Sequence, residues 1–519
     1  MRAERSANHS RHLKAGNKVN TKRGFNNIIY GLLSQVITMG LSIIIPRLVL
    51  VNLGSEVNGL LHSISTVFTY LTLLEAGVGK ATNQALYKPL ANDDKDQINA
   101  IMAATNKFYR RTGYIYAIAV LIFAAVYCFV VKTTLSKAIV FLVIVLSGAS
   151  SVLSYFVQGK YNVLMGAEGK SYVLTNISTI SSILSSVCKI LLLIYGFGVV
   201  AIQEMYLFFG VLQMLAIVYY IRRYYKWLNL KVKPDYEAIS QRNYVLIHQI
   251  AGLVFDNTDI ILLTLFTNLK VVSVYSLYTT FYTVIKNALN TISYSYSYAL
   301  GQIYHSDRER FIKLHNVYEV YNMSLTFSFM CILNIFILPF IGIYTSGVTD
   351  IQYVDKYIPM LFTAVYLLSN SRASSGLIID FAQHFEQTKW RAVLEASINI
   401  TVSLVAIHYL GIYGALIGTV IALLYRANDM IIYANKLINR SPLITYKRWI
   451  INLMLFAATT YVSKLILPQM ITLLQVILYG VAACVIIIPL FLIVDSLCEI
   501  KTAKYAIGLF LNQFKRKNS

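Results

Sequence analysis

The chain has 519 residues, 57% of them hydrophobic and only 13% charged, with a mean hydropathy of +0.60. Soluble domains carry about 25% charged residues, so this composition excludes a water-soluble globular protein and implies a polytopic membrane protein. The formal charge of +22 does not point to nucleic acid, because the basic residues sit in short clusters between apolar runs, where charges that set membrane topology sit.

The chain opens with a basic, polar segment, 1–24, that reads as a cytoplasmic tail. The apolar run after it is too long for a signal-peptide core, and no small-residue cleavage site follows. A bilayer-spanning helix needs about 20 mostly apolar residues. Such runs predict about fourteen helices, beginning with 25–52, 57–79, 113–131, 138–158, 172–195 and 199–221. After a linker, 222–242, come 243–267, 271–298, 318–342, 357–380, 390–410 and 412–433, then a last pair at 449–467 and 472–495. The fold class expected is all-α, with two pseudo-symmetric six-helix lobes (25–221 and 243–433), two further helices within 434–495, and a basic tail over 496–519.

With the N-terminus placed in the cytoplasm, the inward segments hold about 35 of the 45 Lys and Arg residues, and the outward loops hold about five. That asymmetry fits fourteen helices with both termini inside. The outward loops are short, the longest running over 345–356, which leaves no external domain. The linker 222–242 is basic and aromatic and suits the anionic inner leaflet. The five cysteines have neither metal-ligand spacing nor a disulfide pattern, and no phosphate-binding glycine loop is present.

The halves are related. At a shift of 214 residues Val57 meets Val271, Thr66 meets Thr280, Thr69 meets Thr283, Leu86 meets Leu300 and Asp93 meets Asp307. Further on, a shift of 218 aligns Glu168 with Glu386 and the Ile-Tyr-Gly triplets at 194–196 and 412–414. Six helices per half give both halves one orientation, as in transporters built from parallel repeats, with a substrate site between the lobes.

Polar residues inside the apolar runs are the candidate site, because ionised groups near the bilayer centre cost roughly 2.5–3.5 kcal/mol each. Arg47 follows Pro46 in the first helix. Glu75, in "LLEAGVGKA", caps or pairs locally, with Lys80 one partner. Asp256 and Asp259 interrupt "LVFDNTDIILL". They either pair across the lobes with Arg47, Lys286 or Arg372, or bind a driving ion, H+ or Na+; otherwise no cofactor is expected. In the eighth helix Tyr275, Tyr282, Lys286 and Ser293 share one face, with Tyr278 beside them. This face reads either as a wall for sugars and phosphate or as packed tyrosines with a paired lysine. Arg372, in "SNSRASSG", either lines a wet cavity, where a helix can loosen and arginine's fork meets phosphate, or forms a structural ion pair. Arg426 and Asp429 suit a local pair. Lys189 is within snorkelling reach of the surface, and the role of Glu395 is open.

Three stretches carry a family resemblance. "PRLVLVNLGSEVNGL" (46–60) resembles the first external turn of polysaccharide-repeat flippases, and "LLEAGVGKA" (73–81) the end of their second helix. "FDNTDIILLTLF" with "VVSVYSLY" (271–278) is similar to their seventh helix and its turn. These belong to the superfamily of multidrug, oligosaccharidyl-lipid and polysaccharide exporters. The resemblance implies a bacterial cytoplasmic-membrane protein, not an enzyme. It would move an undecaprenyl-pyrophosphate-linked oligosaccharide from the inner to the outer leaflet, beside other polysaccharide-assembly proteins and membrane lipids. The family's cationic cavity maps onto Arg47, Lys286 and Arg372, with Tyr275, Tyr278 and Tyr282 as sugar-stacking candidates. The alternatives are a flippase for lipid II or a teichoic-acid precursor, a multidrug antiporter of the same superfamily, and, from another class, a membrane polymerase or glycosyltransferase. The last needs a sizeable external loop that this chain lacks.

Overall fold

A computed structural model describes residues 2–75, 78–239, 253, 255 and 257–517. All regular secondary structure in these residues is helical, as hydrocarbon demands of a chain that must satisfy its own backbone. The chain is a multi-pass membrane protein: among the described residues ten helices are long and apolar enough to cross a bilayer. It divides into two compact units, Met1–Asn257 and Thr258–Ser519.

In the first unit, α1 (Arg2–Leu71) holds the first two expected spans end to end. They part at Gly54, whose backbone (φ 84°, ψ 171°) is open only to glycine. Glu56 ties this turn to the loop after the third span, accepting hydrogen bonds from the Thr134 amide at 2.6 Å and from the Thr134 hydroxyl. Then come α2 (Val78–Ala91), α3 (Lys95–Val130), α4 (Lys137–Val157), the short α5 (Gly159–Ala167), α6 (Ser171–Ile194) and α7 (Val199–Tyr224). The second unit begins with α8 (Asn257–Phe266). It continues through α9 (Leu269–Ser306), α10 (Arg308–Tyr344), α11 (Ile358–Ser371), the short α12 (Ala373–Phe381), α13 (Phe385–Leu410), α14 (Ile412–Leu437), α15 (Leu443–Ile466), α16 (Leu473–Cys498) and α17 (Ile500–Lys517).

The internal repeat is structural. Helix α4 breaks at Gln158 and α11 at Arg372, and each break leads into a nine-residue helix, α5 or α12. These junctions lie 214 residues apart, as do Gly169 and Gln383, both at positive φ just beyond the short helices. Asp94 and Asp307 cap α3 and α10 alike, each accepting the amide three residues on. Within each unit the third span packs on the fourth, the fourth on the sixth and the fifth on the sixth. The shift of 218 has no such counterpart. One Ile-Tyr-Gly triplet ends α6 while the other begins α14, and the turn glycines with positive φ are Gly196 and Gly411.

Helices α13 and α14 meet through Gly414 and Gly418, a small-residue spacing that brings backbones together. A methyl group on Gly414 would lie 2.3 Å from the Ala406 carbonyl carbon, and one on Gly418 2.8 Å from the Ser403 amide nitrogen. Gly414→Ala is expected to push the helices apart and cost about 1–3 kcal/mol of stability, read as a lower thermal unfolding midpoint of the detergent-solubilised chain. An unchanged midpoint would show that the contact is slack.

The charged interior of the second unit is organised around Glu319 on α10, which is 1% exposed. Arg440, between α14 and α15, pairs with it at 2.8 Å; Arg448 of α15 also pairs with it and reaches Glu499 at 3.3 Å. Thr445 adds a hydroxyl at 2.7 Å. One carboxylate thereby gathers α10, the α14–α15 loop and α15.

Candidate functional site

The sequence of α4 places Ser150, Ser151, Ser154 and Gln158 close to one face, and that of α6 places Ser181, Ser182, Ser185, Ser186 and Lys189 on one. In the first unit these rows line a cavity of about 590 Å³, joined by Tyr206, Gly210 and Gln213 of α7 and by Tyr109 and Tyr116 of α3. Glu75 enters it from the end of the second span, accepting a hydrogen bond from the Tyr109 hydroxyl. Lys189 lies 4.9 Å from the centre of the Tyr206 ring. A second cavity of about 420 Å³ shares Thr72, Tyr116, Ser151, Lys189 and Tyr206 with the first.

The walls are hydroxyls, side-chain amides and tyrosine rings, with one carboxylate and one ammonium. Four side-chain atoms of wall residues have no hydrogen-bond partner: Asn83 Oδ1, Gln158 Oε1, Asn162 Oδ1 and Ser185 Oγ. A polyhydroxylated ligand matches walls of hydroxyls and amides, and its ring faces suit tyrosine. Among the described residues no three His, Cys, Asp or Glu side chains converge to hold a metal ion.

Of the residues expected in the site, only Glu75 lines this cavity. Arg47 lies half-buried in α1, ahead of the Gly54 break. Asp256 lies outside the described residues. The tyrosine wall of α9 is corrected: Tyr275, Tyr278 and Tyr282 are buried core side chains packed on Phe362 of α11. Their hydroxyls are bound by Asp259 Oδ2, by the Tyr353 carbonyl and by the Pro359 carbonyl, each at 2.8 Å. The face that looked polar in sequence is thus satisfied by protein. Lys286, half-buried on the same helix, has its ammonium 6.0 Å from the Tyr366 ring centre.

Asp259 is also corrected. In place of the expected cation, its Oδ2 accepts from Tyr275 and from Thr419 of α14, both at 2.8 Å. Its Oδ1 is buried without a partner, as is Asn399 Oδ1 of α13, whose amide nitrogen donates to Thr419 at 2.8 Å.

Arg372 takes the ion-pair alternative. It pairs with Glu395 of α13, which holds Arg426 of α14 at 3.3 Å. Arg426 pairs with Asp429 at 2.7 Å, as its spacing suggested, and Asp429 with Arg391 at 2.5 Å. Among the described residues these three guanidinium groups are joined through two carboxylates. Arg372 nevertheless occupies the repeat position of Gln158, which lines the first unit's cavity.

A family model described as "Polysaccharide biosynthesis protein" matches residues 25–298. No curated protein sequence matches the chain. Among solved structures, the fold is similar to the lipid II flippase MurJ in an inward closed conformation, with a TM-score of 0.65, 15% identity and coverage of 91% of this chain and 98% of that one. It is also similar to an inward-facing multidrug resistance MATE family transporter of the MOP superfamily, at 0.64 and 16% over 77% of this chain and 94% of that one. A MOP superfamily transporter from Pyrococcus furiosus scores 0.53 at 15% identity over 81% of this chain and 94% of that one.

Proposed function

Because this chain belongs to the polysaccharide biosynthesis protein family, we propose that it is a flippase for a lipid-linked oligosaccharide repeat unit, carried on undecaprenyl pyrophosphate. It would turn the sugar head from the inner to the outer leaflet of the bacterial cytoplasmic membrane, with both termini in the cytoplasm. The observation that carries this reading is the hydroxyl- and amide-lined cavity of the first unit. Sugar hydroxyls both donate to and accept from such a wall. A multidrug antiporter for lipophilic cations would gain little from rows of serine. The fold is shared with flippases and drug transporters alike, so the cavity's chemistry favours the sugar.

Catalysis of bond-making is not called for. A polar head cannot cross hydrocarbon unaided, and alternating access of two lobes carries it over. Lys189, at the wall of that cavity, is the group that would meet the anionic linkage. Other polysaccharide-assembly proteins are the expected partners at either side. Deleting the gene should make cells accumulate one lipid-linked oligosaccharide in the inner leaflet, and the purified chain in proteoliposomes should move that species to the opposite leaflet. Failure to move it, with a lipophilic cation moved instead, would replace this reading by the antiporter.

Coupling to H+ or Na+ is placed at Asp259, a buried carboxylate held by the Tyr275 and Thr419 hydroxyls with no cation beside it among the described residues. Asp259→Asn is expected to lower gradient-driven transport about fivefold or more, within the usual range of ligand coupling, while counterflow without a gradient persists. An unchanged gradient response would make Asp259 an anchor for Tyr275 and Thr419 only.

A further inference from the structure

The second unit carries an apolar groove of about 510 Å³, distinct from the polar cavity above. Helix α11 contributes Met360 and Leu367, α14 contributes Leu424, and α15 contributes Trp449, Leu453 and Phe456. Several of these face outward: Met360 is 62% and Leu453 48% exposed. In a membrane protein such a surface meets acyl chains. At one end the groove runs into a compartment of about 350 Å³ that shares Asn334, Met360, Thr460 and Lys464 with it. Here the chemistry changes, because Lys356 and Lys464 stand beside Ser463 and Thr460.

From Trp449 to Lys464 is roughly 22 Å of helix at 1.5 Å per residue, against a hydrocarbon core of about 30 Å. That is long enough for an extended acyl chain. Neither lysine has a carboxylate within ion-pair distance among the described residues. The nearby carboxylate, Asp355, is engaged by the Tyr413 hydroxyl at 2.5 Å and by the Tyr357 and Ile358 amides at 2.7 and 3.2 Å. Two ammonium groups therefore line the head compartment, and no described carboxylate does. It offers neither the serine rows of the sugar cavity nor arginine's bidentate fork.

The geometry points to a binding site for an anionic glycerophospholipid. One acyl chain lies along α15 against Leu453 and Phe456, and the single phosphodiester sits between Lys356 and Lys464. Two separate ammonium groups beside the Ser463 and Thr460 hydroxyls suit the oxygens of one phosphodiester. With the basic clusters inside, the head compartment falls in the outer leaflet.

The test is native mass spectrometry of the full, delipidated chain titrated with phosphatidylglycerol, phosphatidylcholine of the same chains, or undecaprenyl diphosphate. Phosphatidylglycerol should bind about tenfold more tightly than phosphatidylcholine. Lys356→Gln with Lys464→Gln should remove most of that preference without changing the unfolding midpoint, since both side chains are exposed. Leu453→Trp, which fills the groove, should weaken both phospholipids. Equal binding of phosphatidylglycerol by the wild type and the double variant would overturn the proposal. So would its displacement by an equal concentration of undecaprenyl diphosphate.

Discussion

Ser185→Trp is expected to lower transport of the lipid-linked sugar about tenfold to about a hundredfold while the protein still inserts and folds. Ser185 sits on α6 among the serines of the first unit's cavity, and its hydroxyl bonds to no described group. Its removal therefore costs nothing, and Ser185→Ala should transport as the wild type does. The indole has no such neutrality. On this face of α6 it would narrow the cavity that Ser150, Tyr155 and Gln213 also line. Overpacking of about 1–3 kcal/mol, felt only when the ligand enters, becomes a tenfold change for each 1.36 kcal/mol. The measurement is leaflet translocation in proteoliposomes, with the unfolding midpoint of each variant as control. Normal translocation by Ser185→Trp would mean that the head group does not pass through this cavity.

Much of the architecture was legible in sequence because hydrocarbon imposes one local rule. Apolar runs located the spans, and the loop at 53–56 contains the break at Gly54. The polar patch "SNSRASSG" signalled the α11–α12 junction before its geometry was known, and the shift of 214 holds at both broken helices. What sequence could not supply was the partner of each polar face. Tyr275, Tyr278 and Tyr282 do share a side of α9, but periodicity cannot say whether water or Phe362 lies opposite. Charge singles out Lys286 and Arg372 in the sequence, whereas the hydroxyls that line the cavity carry none. Ser150, Ser151 and Ser154, and Ser181, Ser182, Ser185 and Ser186, stand at helical spacing inside two apolar helices, and these neutral rows are the signal in the sequence for that cavity. Glu395, open in sequence, proves to be the carboxylate that joins Arg372 to Arg426. Glu319 stands at the edge of the apolar run 318–342, but α10 begins at Arg308, which places Glu319 a few turns inside the helix.

That carboxylate carries the largest stability effect expected in the molecule. Glu319→Ala should cost about 3–5 kcal/mol, the usual penalty for breaking a buried ion pair by removing one partner. The reason lies in what is left behind. Arg440 and Arg448 are 6% and 4% exposed at their side chains and cannot turn to water. Arg440 would keep the amide oxygens of Asn435 and Asn316, at 2.5 and 2.6 Å, but no carboxylate. Arg448 would keep Glu499 at 3.3 Å. One buried guanidinium would then have only a partly exposed acid, and the other no acid at all. Glu319→Gln should be milder, since its amide oxygen still accepts from one arginine, although its –NH2 points a donor at the other. Because the cluster is buried, raising salt should leave the wild-type midpoint nearly unchanged, in contrast to an exposed pair. Thermal unfolding followed by size-exclusion chromatography of the solubilised chain separates these cases. A midpoint for Glu319→Ala equal to that of the wild type would mean that α10 and α15 hold together without the cluster.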